Sequence, residues 1–157
     1  MHEADLLKAN LSGANLSHAK LTYASLHYAD LSSAVLTHTD FTGANLWKAN
    51  LFGTDLRTAI LHAANLQGAV YDSHTQFPAD YNPQQSGAYL IAPNATLQGA
   101  DLHGMTLTGT DLSGADLTKA NLTAVDFWGA NLTQAKLNGA NLTNANLWGA
   151  NLTKTTL

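Results

Sequence analysis

The most constraining feature of this sequence is a large apolar residue at every fifth position. The series runs from Leu6 through Leu66 to Tyr71, and it resumes at Leu97 and continues to Leu157. Two residues before each member lies Ala or another small residue, and a mostly polar residue, often Asn or Asp, lies between them. The local word is therefore A-(N/D)-L-x-x, where x is variable. A fixed period sustained over this length indicates a repeat architecture.

A five-residue period fits neither an ordinary helix nor a flat strand. An α-helix turns about 100° per residue, so five-residue steps drift around its surface. A strand alternates its faces with a period of two, so an odd step would turn every second Leu to the wrong face. The pattern therefore requires the chain to turn a corner once per repeat, with Leu and the small residue both pointing inward. Gly, Asn and Ser, which are typical turn residues, end many of the repeats.

Charge predicts how many repeats close one coil. Residues one coil apart stack about 4.8 Å apart, so that like charges repel and opposite charges attract. A coil of three repeats would stack Asp40 on Asp55. A coil of four repeats instead places Lys20 beside Asp40 and Asp116 beside Lys136. The sequence therefore predicts a four-sided coil in which each residue stacks on the one four repeats away.

The repeat words resemble those of the pentapeptide repeat proteins, whose units form a right-handed quadrilateral parallel β-helix. Ala-Asn-Leu at 44–46, Ala-Asp-Leu at 100–102 and Ala-Asn-Leu at 140–142 match the family's word. The resemblance implies an all-β solenoid of pentapeptide repeats, with 20 residues per coil and one non-repeat interruption. It also implies a range of functions, because some members of the family resemble B-form DNA in shape and charge and bind DNA gyrase.

One segment interrupts the repeat. From 72 to 94 the apolar series fails, and all three prolines of the chain lie there. Because proline removes a backbone donor, we interpret 72–94 as a non-repeat loop between the repeat segments 1–71 and 95–157 of one continuous solenoid domain. The stretch 70–78 resembles an interruption that is common in cyanobacterial pentapeptide proteins. The loop either spans an irregular coil or binds a partner, as long loops on rigid scaffolds often do.

Composition narrows the classes of function. The formal net charge is −4, only 11% of residues are charged, and no basic stripe is present, so we expect no nucleic-acid partner. The absence of cysteine excludes disulfide and thiolate chemistry. No apolar run is long enough to span a membrane, so we expect no membrane partner. No leader precedes the repeats, so we expect a cytoplasmic protein; an organelle or the thylakoid lumen would require a leader that this sequence lacks.

The sequence offers no set of residues for catalysis, a cofactor or a metal. His18 and His38 should stack one coil apart, but no Asp, Glu or Cys obviously joins them as a third ligand. Ser, Thr, Asp and His are so frequent that the chance proximity of a hydrolytic triad is uninformative. The glycines occur singly, so that no phosphate-binding loop is formed. We therefore expect a chain that is not an enzyme, with no cofactor and no metal site.

The candidate partner-binding residues are aromatic. Exposed aromatic side chains on a rigid wall can anchor a partner protein. Trp128 and Trp148 should form a ladder one coil apart, although such a ladder can also serve only to stabilise neighbouring coils. The candidates are Trp47, Phe52, Phe77, Tyr81, Tyr89, Trp128 and Trp148.

The sequence therefore predicts a non-enzymatic solenoid scaffold for protein–protein interaction, with a protein partner that it does not identify. The alternative is a DNA mimic that binds a topoisomerase such as DNA gyrase, although the mimics in the family carry a more negative surface than this chain. An end coil without a cap exposes unpaired backbone groups and apolar residues such as Leu152 and Leu157. We therefore also expect end-to-end self-association, since closed contacts between copies commonly hide such surfaces.

Overall fold

The structure is a computed structural model that describes residues 3–157, so Met1 and His2 of the predicted segment 1–71 lie outside the described residues. The chain divides into two compact units, Met1–Leu90 and Ile91–Leu157. The regular strands of the described residues are both short and lie in the first unit. Strand β1 (Val70–Tyr71) pairs in parallel with strand β2 (Tyr89–Leu90). Further pairing in both units occurs through isolated parallel bridges.

The backbone pairing repeats every four pentapeptides in both units. In the first unit Asp5 bridges Ser25, which in turn bridges Asn45, and in the second unit Asp116 bridges Lys136. The paired residues are those between the small residue and Leu of each word. Each unit is therefore a right-handed quadrilateral parallel β-helix built from pentapeptide repeats, and the predicted fold class and four-sided coil are confirmed.

The corners of the repeats are tight turns, and nearly all of them contain a residue in the left-handed region. In the repeat that begins at Leu6, the Ala9 N–H donates to the Leu6 carbonyl at 3.0 Å and Lys8 has a φ of 55°. A positive φ at the third residue of the turn is what a type II turn requires. The turn explains why the last position of the repeat is rich in Gly, although Lys, Tyr and Ser also adopt this conformation here.

The corner at Thr58 differs from the other corners of the repeats between Glu3 and Gly68. Thr58 occupies the position at which the other corners have a left-handed residue, but it is β-branched and its φ is not positive. Its hydroxyl accepts the His38 N–H at 3.0 Å, whereas the equivalent N–H of His18 donates to a backbone carbonyl. A β-branched side chain crowds the backbone when φ is positive, which accounts for the different corner.

The Asn or Asp of the repeat word stabilises the corner that follows it. Its side-chain Oδ1 accepts the backbone N–H two residues later, as Asn10 does from Ser12 at 3.1 Å. This bond supplies a partner for the first N–H of the turn. Asn also links neighbouring coils, because the Asn50 Nδ2 donates to the Asp30 Oδ1 at 3.1 Å. These residues therefore have a structural role on the walls, independent of any ligand.

Leu and Ala columns fill the interior of each unit. Leu132 is fully buried, as are Phe41 and Phe127, which replace Leu in the apolar series. Thr39 and Thr54 occupy buried positions of the Ala column. Their hydroxyl groups donate to backbone carbonyls at 2.8 Å, so that burial leaves no polar atom of theirs without a partner. The predicted inward register of the large and small residues is confirmed.

Parts of the predicted loop 72–94 continue the coil. Gln76 forms a parallel bridge with Asp55, and strand β2 pairs with strand β1. The bridge at Gln76 spans one residue more than the other isolated bridges of the first unit, so the coil accepts one extra residue between Tyr71 and Gln76. The pairing of Val70 with Tyr89 in turn spans one residue fewer than those bridges. No helix within residues 3–157 is long and apolar enough to cross a membrane.

Candidate functional site

Charged side chains on the walls stack as the four-sided coil predicts. Lys20 lies beside Asp40 and Asp116 lies beside Lys136, while Asp40 bridges Ile60 and not an acid. The pKa of Asp40 lies below its ordinary value because the side chain and the backbone N–H of Thr42 donate to the carboxylate and because Lys20 is near. The pairing places opposite charges one coil apart at partly exposed positions, where such charges contribute little to stability.

The two histidines predicted to stack do so. The rings of His18 and His38 lie 5.0 Å apart between centroids at an angle of 30°. Within residues 3–157 no group of three or more His, Cys, Asp or Glu side chains is arranged to hold a metal ion.

The corner at Asp72 absorbs the extra residue of the interrupted repeat. One carboxylate oxygen, Oδ1, accepts the N–H groups of Gly53, His74 and Thr75 at 3.0–3.1 Å and the Thr75 hydroxyl at 2.9 Å. Burial acts to raise the pKa of Asp72, but these hydrogen bonds outweigh it and the pKa lies below its ordinary value. The arrangement is a structural clamp for the backbone.

The candidate residues of the interrupted segment lie partly against the core. Phe77 contacts the Tyr71 ring edge-to-face at 5.3 Å and stacks on the Tyr81 ring at 5.6 Å. Phe77 and Tyr81 are half-buried and pack against the core of the first unit. Tyr89 is half-buried within strand β2. Their faces are therefore largely committed to contacts within the chain.

Trp47 is also engaged within the first unit. Its ring contacts the Tyr28 ring edge-to-face at 5.0 Å, and the Lys48 ammonium lies 5.2 Å from its centroid. The ammonium groups of Lys8 and Lys48 lie 5.7 and 5.9 Å from the Tyr28 centroid, one coil to either side. Trp47 is half-buried, as is Phe52 on the next wall. Cation–π contacts within the chain therefore occupy this corner.

Trp128 and Trp148 form the exposed aromatic ladder of the second unit. Their ring centroids are 5.6 Å apart and the rings are nearly parallel, at 16°. Nevertheless, 47% of Trp128 and 69% of Trp148 remain exposed. The predicted ladder is confirmed, and its members are the most exposed of the seven candidates.

A carboxylate lies at the foot of this ladder. The Asp126 Oδ1 accepts hydrogen bonds from the backbone N–H of Trp128 at 3.0 Å and from the Asn146 Nδ2 at 2.8 Å. The Asp126 Oδ2 accepts one from the Thr108 hydroxyl at 3.3 Å. We call Trp128, Trp148 and Asp126 the tryptophan surface. Each indole is followed by a glycine of positive φ, so that no side chain at the next position covers the rings.

Comparison with known proteins decides the family. The family model for pentapeptide repeats matches in 8 copies, over residues 1–37, 39–70, 94–123 and 120–157. The chain belongs to the pentapeptide repeat family.

Solved structures of cyanobacterial members of this family are similar to the chain. The pentapeptide repeat protein alr5209 from Nostoc PCC 7120 is 33% identical over 57% of this chain and 82% of its own, with a TM-score of 0.38. HetL from Nostoc sp. strain PCC 7120, described as involved in heterocyst differentiation regulation, is 32% identical over 100% and 71%, with a TM-score of 0.37. Rfr23 from Cyanothece 51142 is 24% identical over 98% and 88%, with a TM-score of 0.28. No curated protein matches the chain.

Sequence reasoning missed two neighbours that decide which aromatic residues are exposed. Tyr28 covers part of Trp47, and the spacing of Lys8, Tyr28 and Lys48 at one coil each could have shown this cluster. Asp126 is not among the candidates from the sequence, although its place two residues before Trp128 puts it beside the same corner of the coil.

Proposed function

We propose that this pentapeptide repeat protein is a non-enzymatic scaffold that binds another protein through the tryptophan surface. The observation that carries the proposal is the exposure of two stacked indoles, Trp128 and Trp148, on a wall of the second unit. Tryptophan is among the residues that most often carry the binding energy of a protein interface.

The backbone beneath the two indoles supports this role. The backbone N–H of Trp128 donates to the Asp126 Oδ1 at 3.0 Å, and the backbone N–H of Trp148 donates to the Asn146 Oδ1 at 3.1 Å. The Gly129 N–H donates to the Trp148 carbonyl at 2.9 Å, which joins the two corners directly. A surface held in place before binding loses little conformational entropy when a partner docks, and more of the contact energy appears as affinity.

A purely stabilising ladder would bury its rings more completely. Trp47 illustrates that arrangement, since a tyrosine and a lysine of neighbouring positions cover it and leave it half-buried. Trp128 and Trp148 contact each other but keep much of their surface open. Their exposed area therefore favours a partner over internal stabilisation alone.

The wall chemistry favours a scaffold over an enzyme or a nucleic-acid binder. Asn and Asp side chains of the walls are used by the corners and by their neighbours in adjacent coils, as Asp111 is by Ser113 and Asn131. Lys136, a cation of the second unit, lies beside Asp116. A nucleic-acid surface needs several unopposed cations to neutralise phosphates.

The alternative of a DNA mimic directed at a topoisomerase such as DNA gyrase requires a dense negative surface. Here the acidic side chains of the ladders are interleaved with neutral or basic residues, as Asp101 is followed one coil later by Asn121. We therefore keep gyrase as a control target and not as the proposed partner. Addition of the protein to a gyrase supercoiling assay should leave the rate unchanged.

The proposed function is tested by comparing interaction partners of matched variants in the source cell. The wild-type chain, Trp128→Ala with Trp148→Ala, and Tyr23→Ala are each captured with the proteins bound to them. Tyr23 is a suitable control because it is an exposed aromatic residue at a corner of the first unit, at 60% exposure. A partner should be lost, by roughly 30-fold or more, only from the double variant. Equal recovery by all three chains would overturn the proposal.

A further inference from the structure

We infer that the tryptophan surface receives a cationic side chain, arginine or lysine, from the partner protein. This inference rests on the proposed function and adds the chemical class of the group that is recognised. It combines two independent features of the surface: the open indole faces and the distribution of charge around them.

The indoles supply the first half of such a site. A guanidinium or ammonium group is attracted to the negative face of an aromatic ring, and tryptophan attracts it most strongly. The same chain already shows this contact, because the Lys48 ammonium lies 5.2 Å from the centroid of Trp47. Trp128 is 47% exposed, and the corner on the side of its ring away from Trp148 is that of Thr108, whose hydroxyl donates to Asp126.

Asp126 supplies the second half. Its Oδ1 is used by the Trp128 N–H and the Asn146 side chain, at 3.0 and 2.8 Å. Within the described residues its Oδ2 accepts one hydrogen bond, from the Thr108 hydroxyl at 3.3 Å. A carboxylate offers about four acceptor positions, so Oδ2 retains capacity for a further donor. Arginine suits such a place because its planar group can stack on an indole while donating to a carboxylate.

The charge of the second unit is complementary to a cation at this corner. Asp126 and Asp111 lie on the two walls that meet at the corner of the indoles. The cations of Ile91–Leu157 are Lys119, Lys136 and Lys154.

These cations lie away from the tryptophan surface. Lys136 bridges Asp116, and two repeats separate Asp116 from Asp126, so Lys136 lies on the opposite wall of the four-sided coil. Lys119 and Lys154 lie at the two corners that bound the wall of Lys136. Each wall of the second unit carries one acid, so the asymmetry comes from the lysines, and an incoming cation meets fewer like charges at the tryptophan surface than on the other side.

The test is a nuclear magnetic resonance titration that reads the three tryptophans of the chain separately. The indole N–H signals are assigned with Trp47→Phe, Trp128→Phe and Trp148→Phe. Blocked peptides of alternating glycine with arginine, lysine, citrulline or glutamate are then added to the wild-type chain. Citrulline keeps the length and planar shape of arginine but replaces the charged guanidinium by a neutral urea with fewer N–H donors, so the comparison removes the cation and leaves the apolar and planar contacts.

The arginine and lysine peptides should shift the Trp128 and Trp148 signals in a saturable way and leave Trp47 unmoved. Replacing arginine by citrulline should weaken binding about fivefold to thirtyfold. Asp126→Asn should weaken it for the cationic peptides as well. This variant keeps an Oδ1 acceptor for the Trp128 N–H, and Asn146 occupies the equivalent place one coil later, so the fold is retained.

Each other result would overturn the inference. Equal binding of the arginine and citrulline peptides would mean that the surface recognises shape or apolar area and not charge. Equal shifts at signals throughout the walls would mean diffuse attraction to an acidic chain. No shift with any peptide at millimolar concentration would mean that the surface does not receive a cation. In all three cases the proposed function still stands or falls separately on whether the double tryptophan variant loses its protein partner.

Discussion

The substitution Leu132→Ala tests how the apolar series is buried. Leu132 has 0% exposure, and it lies in one column with Leu112 and Leu152, each one coil apart. Removing three buried carbon atoms costs about 2.4 kcal/mol at about 0.8 kcal/mol per carbon. The cavity left behind adds to this loss, because the neighbouring coils hold the walls apart. We therefore expect the free energy of unfolding to fall by about 2–5 kcal/mol.

Leu152→Ala is the matched control from the same column. Leu152 is 39% exposed, so its buried remainder corresponds to a loss of about 1.5 kcal/mol. Water can enter the space that the shortened side chain leaves, so little cavity cost is added. The difference between the two variants thus measures burial and cavity formation with the residue type held constant.

The assay is urea unfolding followed by both circular dichroism and tryptophan fluorescence. Coincident transitions and an unchanged denaturant slope show that the two free energies can be compared, which matters because repeat proteins can unfold in parts. A loss below about 0.5 kcal/mol for Leu132→Ala, or a loss no greater than that of Leu152→Ala, would refute the inward register of the column.

Three further predictions concern other features of the chain. Because the folded-state pKa of Asp72 is lowered, its contribution to stability is present above the ordinary value of 3.8 and is lost as the pH falls through the folded-state value. Asp72→Asn should therefore reduce the loss of unfolding free energy at acid pH, and an unchanged loss would contradict the clamp. Gly68→Ala places a Cβ 3.0 Å from the Lys48 Cγ at a φ of 72°, whereas the Cβ of Gly99→Ala has no atom within 4 Å at a φ of 67°. In thermal denaturation the free energy of unfolding should fall by about 1–2 kcal/mol for Gly99→Ala and by more for Gly68→Ala, and equal losses would mean that Lys48 does not hold its place. The exposed apolar side chains of Leu152 and Leu157 should support self-association of this chain, and Leu152→Asn should weaken it. Sedimentation over a range of concentrations detects the association, and a strict monomer at high concentration would contradict it.

The fold could be predicted from the sequence because its period and its chemistry agree. The five-residue series excludes helix and flat strand, and the placement of Lys20 against Asp40 selects four sides over three. These are local and periodic signals, and each repeat contacts only its neighbours in a solenoid. The same rule predicts the ladder of Trp128 and Trp148, which the structure contains.

The candidate site was predictable only in part, because exposure depends on what lies beside each aromatic residue. Seven aromatic side chains were candidates, and the sequence did not separate Trp148 from Trp47. The separation depends on Tyr28 and Lys48, which cover Trp47, and on the absence of a side chain at Gly149, beside Trp148. Such contacts between non-adjacent positions follow from geometry more than from composition.

The interruption was the hardest part to predict because its residues leave the period. Prolines indicated a loop over 72–94, yet Gln76 bridges Asp55 and strand β2 pairs with strand β1. The clamp at Asp72 explains how the coil accepts one additional residue, since a single carboxylate oxygen collects several nearby donors. The repeat pattern of the sequence gives no indication of this arrangement.

Site-directed photocrosslinking tests the docking role of the tryptophan surface most directly. A photoreactive amino acid is placed at Trp148 in one chain and at Tyr23 in a control chain, and both are illuminated in the source cell. A discrete covalent adduct with one protein should form from position 148, and mass spectrometry of that adduct should locate the crosslink beside an arginine or lysine of the partner. Adducts of the same pattern from both positions, or none from position 148 while the chain remains folded, would contradict the account.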